Sequence, residues 1–288
     1  MDGLIALLGL GVGGLINMLA DCLPVNRRLV LPRCPACTAP RPFAAWFGIG
    51  ALIARAWRCP YCGTPRSWRV PLIEVVTVVG AIWLYRRDPT PISFWLDGLV
   101  MGFFILIVVI DVEHRLILHV VTGPAALIFS LIGVLKPDQE LGMVLLGGLT
   151  GFGLVLVLYL FGWVFAHVLA RLRGKVLEEV AFGFGDVTLA GVLGLIVGFY
   201  GVLMTLFIGI LAAGIFSLVY LVFMLLRRRY QAFLPVPYGP FLVLGASIVY
   251  FGGRTVIETI FPFGPLWLLG VLIVYFGGRV VIERFQGR

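Results

Sequence analysis

Residues 101–111 read Met-Gly-Phe-Phe-Ile-Leu-Ile-Val-Val-Ile-Asp, ten apolar or small residues closed by a carboxylate, Asp111. Extended back to residue 92, the run is about 19 residues long, and at about 1.5 Å per residue a helix of that length crosses the hydrocarbon core of a bilayer. An ionisable group held at membrane depth is costly, so Asp111 is a candidate for function rather than packing.

Comparable apolar runs recur outward in both directions, over 3–23, 71–85, 116–135, 141–170, 186–199, 201–226, 238–251 and 263–276. The expected fold is therefore an all-α polytopic membrane protein with about 8–9 transmembrane helices. Composition agrees, because 61% of residues are hydrophobic and 12% charged, too few polar groups to coat a water-soluble globule. The runs 186–199 and 238–251 are short for a full crossing, so each is either longer than its apolar core or re-entrant. Residues 3–23 resemble a signal peptide in length, but Asp2 stands where a basic segment belongs and no clear cleavage site follows. A retained first helix is expected.

The net charge of +8 does not point to nucleic acid, because the arginines cluster beside apolar spans instead of along an aromatic-interleaved surface. Between Pro24 and Pro71 lie Arg27, Arg28, Arg33, Arg41, Arg55, Arg58, Arg66 and Arg69 and no carboxylate, which places this loop in the cytoplasm by the positive-inside rule. Alternation then puts Arg171, Arg173 and Lys175, and later Arg227 to Arg229, on the same side.

The same loop contains Cys34-Pro-Ala-Cys37 and, 21 residues on, Cys59-Pro-Tyr-Cys62. Two Cys-x-x-Cys pairs supply four thiolates for a tetrahedral zinc, and a reducing cytoplasm disfavours disulfides. A shell closed by four cysteines has no open position for substrate, so the metal is expected to be structural. Cys22, within an apolar span, reads as a packing residue.

A second acid, Asp186, opens an apolar span within Gly183-Phe184-Gly185-Asp186. By the topology above, Asp111 at a helix end and Asp186 at a helix start both lie at the cytoplasmic side. Two carboxylates brought together can share a proton, one activating water and the other polarising a carbonyl, which is the logic of an aspartyl protease. Gly183 and Gly185 would let a substrate backbone approach Asp186. On their own the two acids read rather as a helix cap, Asp186, and an interfacial acid beside His114 and Arg115, Asp111. His114 and His119, five apart, carry no zinc signature. Glu74, beside Pro71, reads either as part of an active region next to the cysteine loop or as a solvated acid at a helix start.

Near the C-terminus, Pro237-Tyr-Gly-Pro240 through Val249-Tyr-Phe-Gly-Gly-Arg254 recurs 25 residues later as Pro262-Phe-Gly-Pro265 through Val274-Tyr-Phe-Gly-Gly-Arg279, a duplicated helical unit. The expected organisation is a first transmembrane helix (1–24), a cytoplasmic four-cysteine domain (25–70), a membrane peptidase domain (71–251) and an added C-terminal helix (252–288).

The order of these elements resembles the bacterial type IV prepilin peptidases, relatives of intramembrane proteases with a Gly-x-Gly-Asp motif. Gly13-Gly-Leu-Ile-Asn17 through Leu23-Pro24 is similar to the family's amino-terminal segment. The paired cysteines, Val70-Pro-Leu-Ile-Glu74, Ile110-Asp111, Gly183–Asp186 and Pro237-Tyr-Gly-Pro-Phe-Leu242 follow in the family's order. The resemblance implies an aspartic endopeptidase of the bacterial inner membrane, with Asp111 and Asp186 catalytic at its cytoplasmic side, that cuts prepilin or pseudopilin leader peptides after Gly. It implies pilus or secretion assembly machinery as partners. In two-activity members it also implies methylation of the new amino terminus from S-adenosylmethionine, with Glu74 in the region concerned. Four departures stand out: Cys22 for Arg, Leu118 and His119 where the family reads Pro-Asp, and Thr188 for Lys. They touch substrate contacts and methyl transfer, and Leu118 and Thr188 motivate a rival reading as a scaffold that keeps the zinc domain and binds pilins without cutting them. A transporter would need more polar residues and paired broken helices within the membrane.

Overall fold

The computed structural model describes residues 1–26, 33–34, 36–41, 46–53, 57–135, 140–173, 183–227 and 237–260. All regular structure among them is helical: α1 (Asp2–Asn26), α2 (Gly48–Ile53), α3 (Arg69–Arg87), α4 (Pro91–His114), α5 (His119–Leu135), α6 (Leu141–Arg173), α7 (Phe184–Leu226) and α8 (Gly239–Ile260). The expected span 263–276, and with it the second copy of the C-terminal repeat, lies outside the described residues. So do Arg27, Arg28 and Arg55 of the basic loop. The chain divides into two compact units, Met1–Gly123 and Pro124–Arg288, with the boundary inside α5.

In the first unit α1 and α3 run antiparallel in close contact. Gly9 lies against the Val78 backbone and Gly13 against Glu74 and Thr77, where a methyl group at either position would overlap its neighbour. A cluster of Ile16, Ala20, Ile73, Leu106, Val109 and Ile110 joins α1, α3 and α4, with Leu118 and Val121 packed on its edge. The last turn of α4 thus rests on apolar packing from two other helices.

In the second unit the longest helix is broken at one residue. Gly198 has φ 74° and ψ −177°, a left-handed conformation open to glycine because no Cβ intrudes. A methyl on Gly151 of α6 would strike both Ala190 and Val202, and one on Gly147 would strike both Gly194 and Gly198. A straight helix would hold residues 190 and 202 about 18 Å apart. The chain therefore reverses at Gly198, and α7 is a hairpin of a short arm, 184–197, and a long arm, 199–226. Two separate apolar spans, as read from the sequence, are present, and the shorter is about 21 Å long. Gly209 and Gly245 then let the long arm meet α8, facing Leu242 and Thr205 respectively.

The helices α1, α4, α6 and α7 are long and apolar enough to cross a membrane. Leu149, Val157 and Val164 on α6 and Ile215, Leu218 and Val219 on the long arm remain exposed. Such an apolar outer surface suits lipid and not water.

Candidate functional site

The two cysteine pairs fold into knuckles of the same construction. In the first, Cys34 N–H donates to Ala39 O at 2.9 Å and Thr38 N–H to Cys34 O at 2.9 Å; in the second, Cys59 N–H donates to Thr64 O at 3.0 Å and Gly63 N–H to Cys59 O at 2.9 Å. Each is closed by an isolated bridge, Arg33 with Pro40 and Arg58 with Pro65. The positions correspond at an offset of 25 residues, Arg-Cys-Pro-x-Cys-x-x-Pro in both. That repeat extends beyond the cysteines to the flanking Arg and Pro, a signal in the sequence additional to the thiol spacing. Both knuckles turn through a left-handed residue, Gly63 at φ 71° and Thr38 at φ 56°. For a β-branched residue this conformation is strained.

The knuckles bring all four sulfurs within 4.8 Å of one another, with Cys34 Sγ 3.5 Å from Cys62 Sγ and Cys37 Sγ 3.6 Å from Cys59 Sγ. Four sulfurs about 2.3 Å from a central ion lie about 3.8 Å apart, so the set is sized to hold a metal ion. The local field separates the thiols. Hydrogen bonds from the Thr64 side chain and backbone draw Cys62 down to about 6. At Cys37 a backbone hydrogen bond from Ala39 has the same sense, but burial and the neighbouring thiols outweigh it and push the group up to about 12. Among the described residues these cysteines form the one cluster fit for a metal, and His114 and His119 are not part of it. Cys22 is buried, as a packing residue should be.

Below the knuckles lies a buried polar layer. Glu74 is fully buried, which overturns the reading of it as a solvated acid. Its Oε1 accepts from Gly48 N–H at 2.6 Å and its Oε2 from Ile49 N–H at 2.8 Å, so it caps the short α2 that follows the first knuckle. Arg66, also buried, donates from Nη2 to Trp46 O at 3.0 Å. Burial draws its guanidinium below the ordinary value, Arg41 adds to the effect, and Glu74 opposes it. Asn17 on α1 donates to Val70 O on α3 at 3.1 Å. These contacts link residues 20 to 53 positions apart, so no local pattern announces them.

Asp111 is 5% exposed in the last turns of α4. Arg115 adopts a left-handed conformation and donates its N–H to Asp111 O at 2.8 Å, ending the helix. Leu118, one of the four departures, presents its carbonyl to Val121 and Thr122 N–H groups and so starts α5, while its side chain joins the core beside Ile110.

Asp186 occupies the third helical position of α7, where Oδ2 accepts from Gly183 N–H at 3.0 Å. The capping contact exists, yet the residue is 9% exposed in a turn whose preceding glycines are less buried. Phe184 holds this turn against α6, edge-on to Phe152 and Tyr159 with ring centroids 6.5 and 6.1 Å away. Thr188 donates its hydroxyl to Gly185 O at 2.9 Å, a contact that a lysine in its place would not make. Asp111 belongs to the first unit and Asp186 to the second.

These features define a polytopic helical membrane protein with a four-cysteine knuckle pair and a Gly-x-Gly-Asp turn at the mouth of a helical hairpin. Residues 7–87 match the bacterial peptidase A24 N-terminal domain, and residues 98–218 match the type IV leader peptidase family. A prepilin leader peptidase/N-methyltransferase of Burkholderia pseudomallei (strain 1026b) is 29% identical over 240 residues, 81% of this chain and 71% of the relative. One from Legionella pneumophila is 26% identical over 284 residues, 88% and 92% respectively. One from Aeromonas salmonicida (strain A449) is 29% identical over 237 residues, 79% and 74%. No solved structure matches the chain. The chain belongs to the type IV leader peptidase family.

Proposed function

We propose that the protein is an intramembrane aspartic endopeptidase that removes leader peptides from type IV prepilins or pseudopilins, with Asp111 and Asp186 as its two catalytic carboxylates. The observation that carries this reading is the match of residues 98–218 to the leader peptidase family. That segment contains both acids, and each sits in a turn whose backbone is already fixed. In the reaction the ionised carboxylate takes a proton from water as its oxygen attacks the scissile carbonyl carbon, and the protonated partner donates to the carbonyl oxygen. Collapse of the tetrahedral species breaks the C–N bond and returns a proton to the leaving amine. The glycines at 183 and 185 leave room for an extended backbone beside Asp186.

The account extends to the bacterial inner membrane, with cleavage after Gly at the cytoplasmic side and the pilus or secretion machinery as the destination of the product. In the cysteine knuckles we assign a structural zinc, bound by Cys34, Cys37, Cys59 and Cys62 and closed to substrate. The names of the relatives support a second activity, methylation of the new amino terminus, for which S-adenosylmethionine would supply the methyl group. Glu74 lies in the region proposed for it. Because both carboxylate oxygens of Glu74 are engaged by α2, its contribution would be to hold that backbone.

Incubating the detergent-purified protein with a prepilin encoded beside its gene, with and without S-adenosylmethionine, and weighing the products tests both activities. A mature chain beginning directly after the leader Gly is expected, heavier by one methyl group when the donor is present. An intact prepilin under conditions where a known family member cuts it would favour the scaffold reading that Leu118 and Thr188 motivate.

A further inference from the structure

Arg69, in the first turn of α3, places one guanidinium between two helices: Nη2 pairs with Asp21 on α1 and Nη1 with Glu113 on α4. Its side chain is 13% exposed, against 55% for Asp21 and 34% for Glu113, so the arginine is the buried centre of the triad. Neither Arg69 nor Glu113 suits its own helix. A cation in a first turn and an anion in a last turn both oppose the helix dipole, and their pairing with each other offsets part of that cost.

We propose that Arg69 is a positioning residue for the leader-peptidase reaction, acting through Glu113 to fix the end of α4 that carries Asp111. The inference rests on Asp111 being catalytic. Glu113 lies two residues beyond Asp111, about 200° around the helix at about 100° per residue, so the ion pair holds the last turn from the side opposite the reacting carboxylate. On Asp111's own turn the Arg115 N–H bonds the Asp111 carbonyl, and the neighbouring Ile110 belongs to the apolar cluster. Apolar packing resists separation but tolerates rotation and sliding, whereas a guanidinium bonded to two carboxylates on different helices sets direction. The triad also joins residue 69, in the segment matching the N-terminal domain, to residue 113, in the segment matching the peptidase. It therefore transmits the position of the cysteine-bearing half to the helix end that bears the acid.

The test is steady-state cleavage of a prepilin peptide by the full-length protein in detergent, comparing Arg69→Gln, Arg69→Lys, Glu113→Gln and the Arg69→Gln/Glu113→Gln double variant, with Asp111→Asn as reference. Displacement of a reacting group by about 1 Å lowers rates by about a hundredfold. Arg69→Gln is expected to lower kcat by about ten- to a hundredfold with KM within about threefold, and Arg69→Lys to recover part of it. The double variant should be no worse than the poorer single one, because both remove the same link. Metal content and thermal unfolding of each variant separate lost positioning from lost fold. An Arg69→Gln enzyme with unchanged kcat, a defect confined to KM, or a loss matched by the fraction of unfolded protein would overturn the assignment. If Asp111→Asn itself remains active, the underlying reading of Asp111 fails instead, and that result is distinguishable from failure of the triad alone.

Discussion

Two helix pairs in this molecule, α1 with α3 and α6 with the short arm of α7, are both built on close backbone approach, yet they are secured differently. In the α1–α3 pair the glycines at 9 and 13 are accompanied by polar links, Asn17 to Val70 across the pair and Glu74 of α3 to the first two residues of α2. Between α6 and the short arm, Gly147, Gly148, Gly151, Gly191 and Gly194 meet backbone and apolar side chains alone. In lipid, apolar side chains gain little by leaving the hydrocarbon, so small residues that admit close packing carry the association. Next to a water-facing domain, long-range hydrogen bonds are also needed, because the loop they hold lacks a large core of its own. The lesson is that one half is fixed by partners distant in sequence and the other by the shape of the backbone.

The largest effect separating the halves should come from Cys37→Ser. It removes one of four thiolates from the cluster proposed to hold a zinc, and a structural metal supplies much of the folding energy of such a small domain. Elemental analysis should fall from about one zinc per chain to near none, while Cys22→Ser leaves it unchanged. Hydrogen exchange should show the knuckle amides, such as Cys34 and Cys59, losing protection while α6 and α7 keep theirs. Normal metal content in Cys37→Ser would remove the site. A variant that kept knuckle protection and lost only peptidase activity would make the metal catalytic.

Next comes Gly194→Val, which forces a branched side chain into the Gly147 backbone. Overpacking costs about 1–3 kcal/mol, and the contact with backbone puts this case at the upper end, so it should lower the thermal midpoint and the yield of monodisperse protein. Gly153→Val is the matched control, since nothing lies within 4 Å of a methyl group at that position, and it should behave nearly as the parent.

Glu74→Ala should follow closely, because it leaves the Gly48 and Ile49 N–H groups without their acceptor. At about 1 to 3 kcal/mol for stranding a buried group, the loss should appear as faster exchange in α2 while helices of the second unit are unaffected. Equal loosening of both halves would mean that the contrast between them is not one of local anchoring.

Thr38→Gly should have the smallest effect and the opposite sign. It relieves a left-handed threonine at a position that the second knuckle fills with Gly63. A gain of about 1 kcal/mol is expected, read as slower release of metal to a chelator. Faster release would show that the Thr38 hydroxyl bond to Cys37 O outweighs the strain.

The sequence carried different parts of this picture to different degrees. Because bilayer thickness imposes length and composition together, apolar runs locate the long helices among the described residues to within a few positions, except that α8 runs nine residues past the expected end at 251. The break near residue 200 was also legible, since the two runs were read apart, but the reversal at Gly198 was not. A single glycine in a glycine-rich stretch does not declare its φ. The short α2 escaped notice because six residues stabilised by a distant carboxylate have no periodicity of their own. The cysteine site is legible from spacing, and the matching Arg and Pro of the two knuckles carry a second signal whose meaning, a shared turn, only the structure supplies. The Arg69 triad and the burial of Glu74 were not legible at all. Their partners lie 44 to 48 and 25 to 26 positions away, where only the tertiary fold assigns a meaning to the charge.

Asp111 and Asp186 are proposed to perform one hydrolysis together. Cleavage of a prepilin by Asp111→Asn and by Asp186→Asn, each purified as folded, metal-loaded protein, tests it most directly. Each substitution keeps shape and hydrogen-bonding size while removing half of the acid and base chemistry. The account predicts that either variant loses at least about a hundredfold in kcat while retaining the parent's thermal midpoint and zinc content. Undiminished leader cleavage by either one would contradict it.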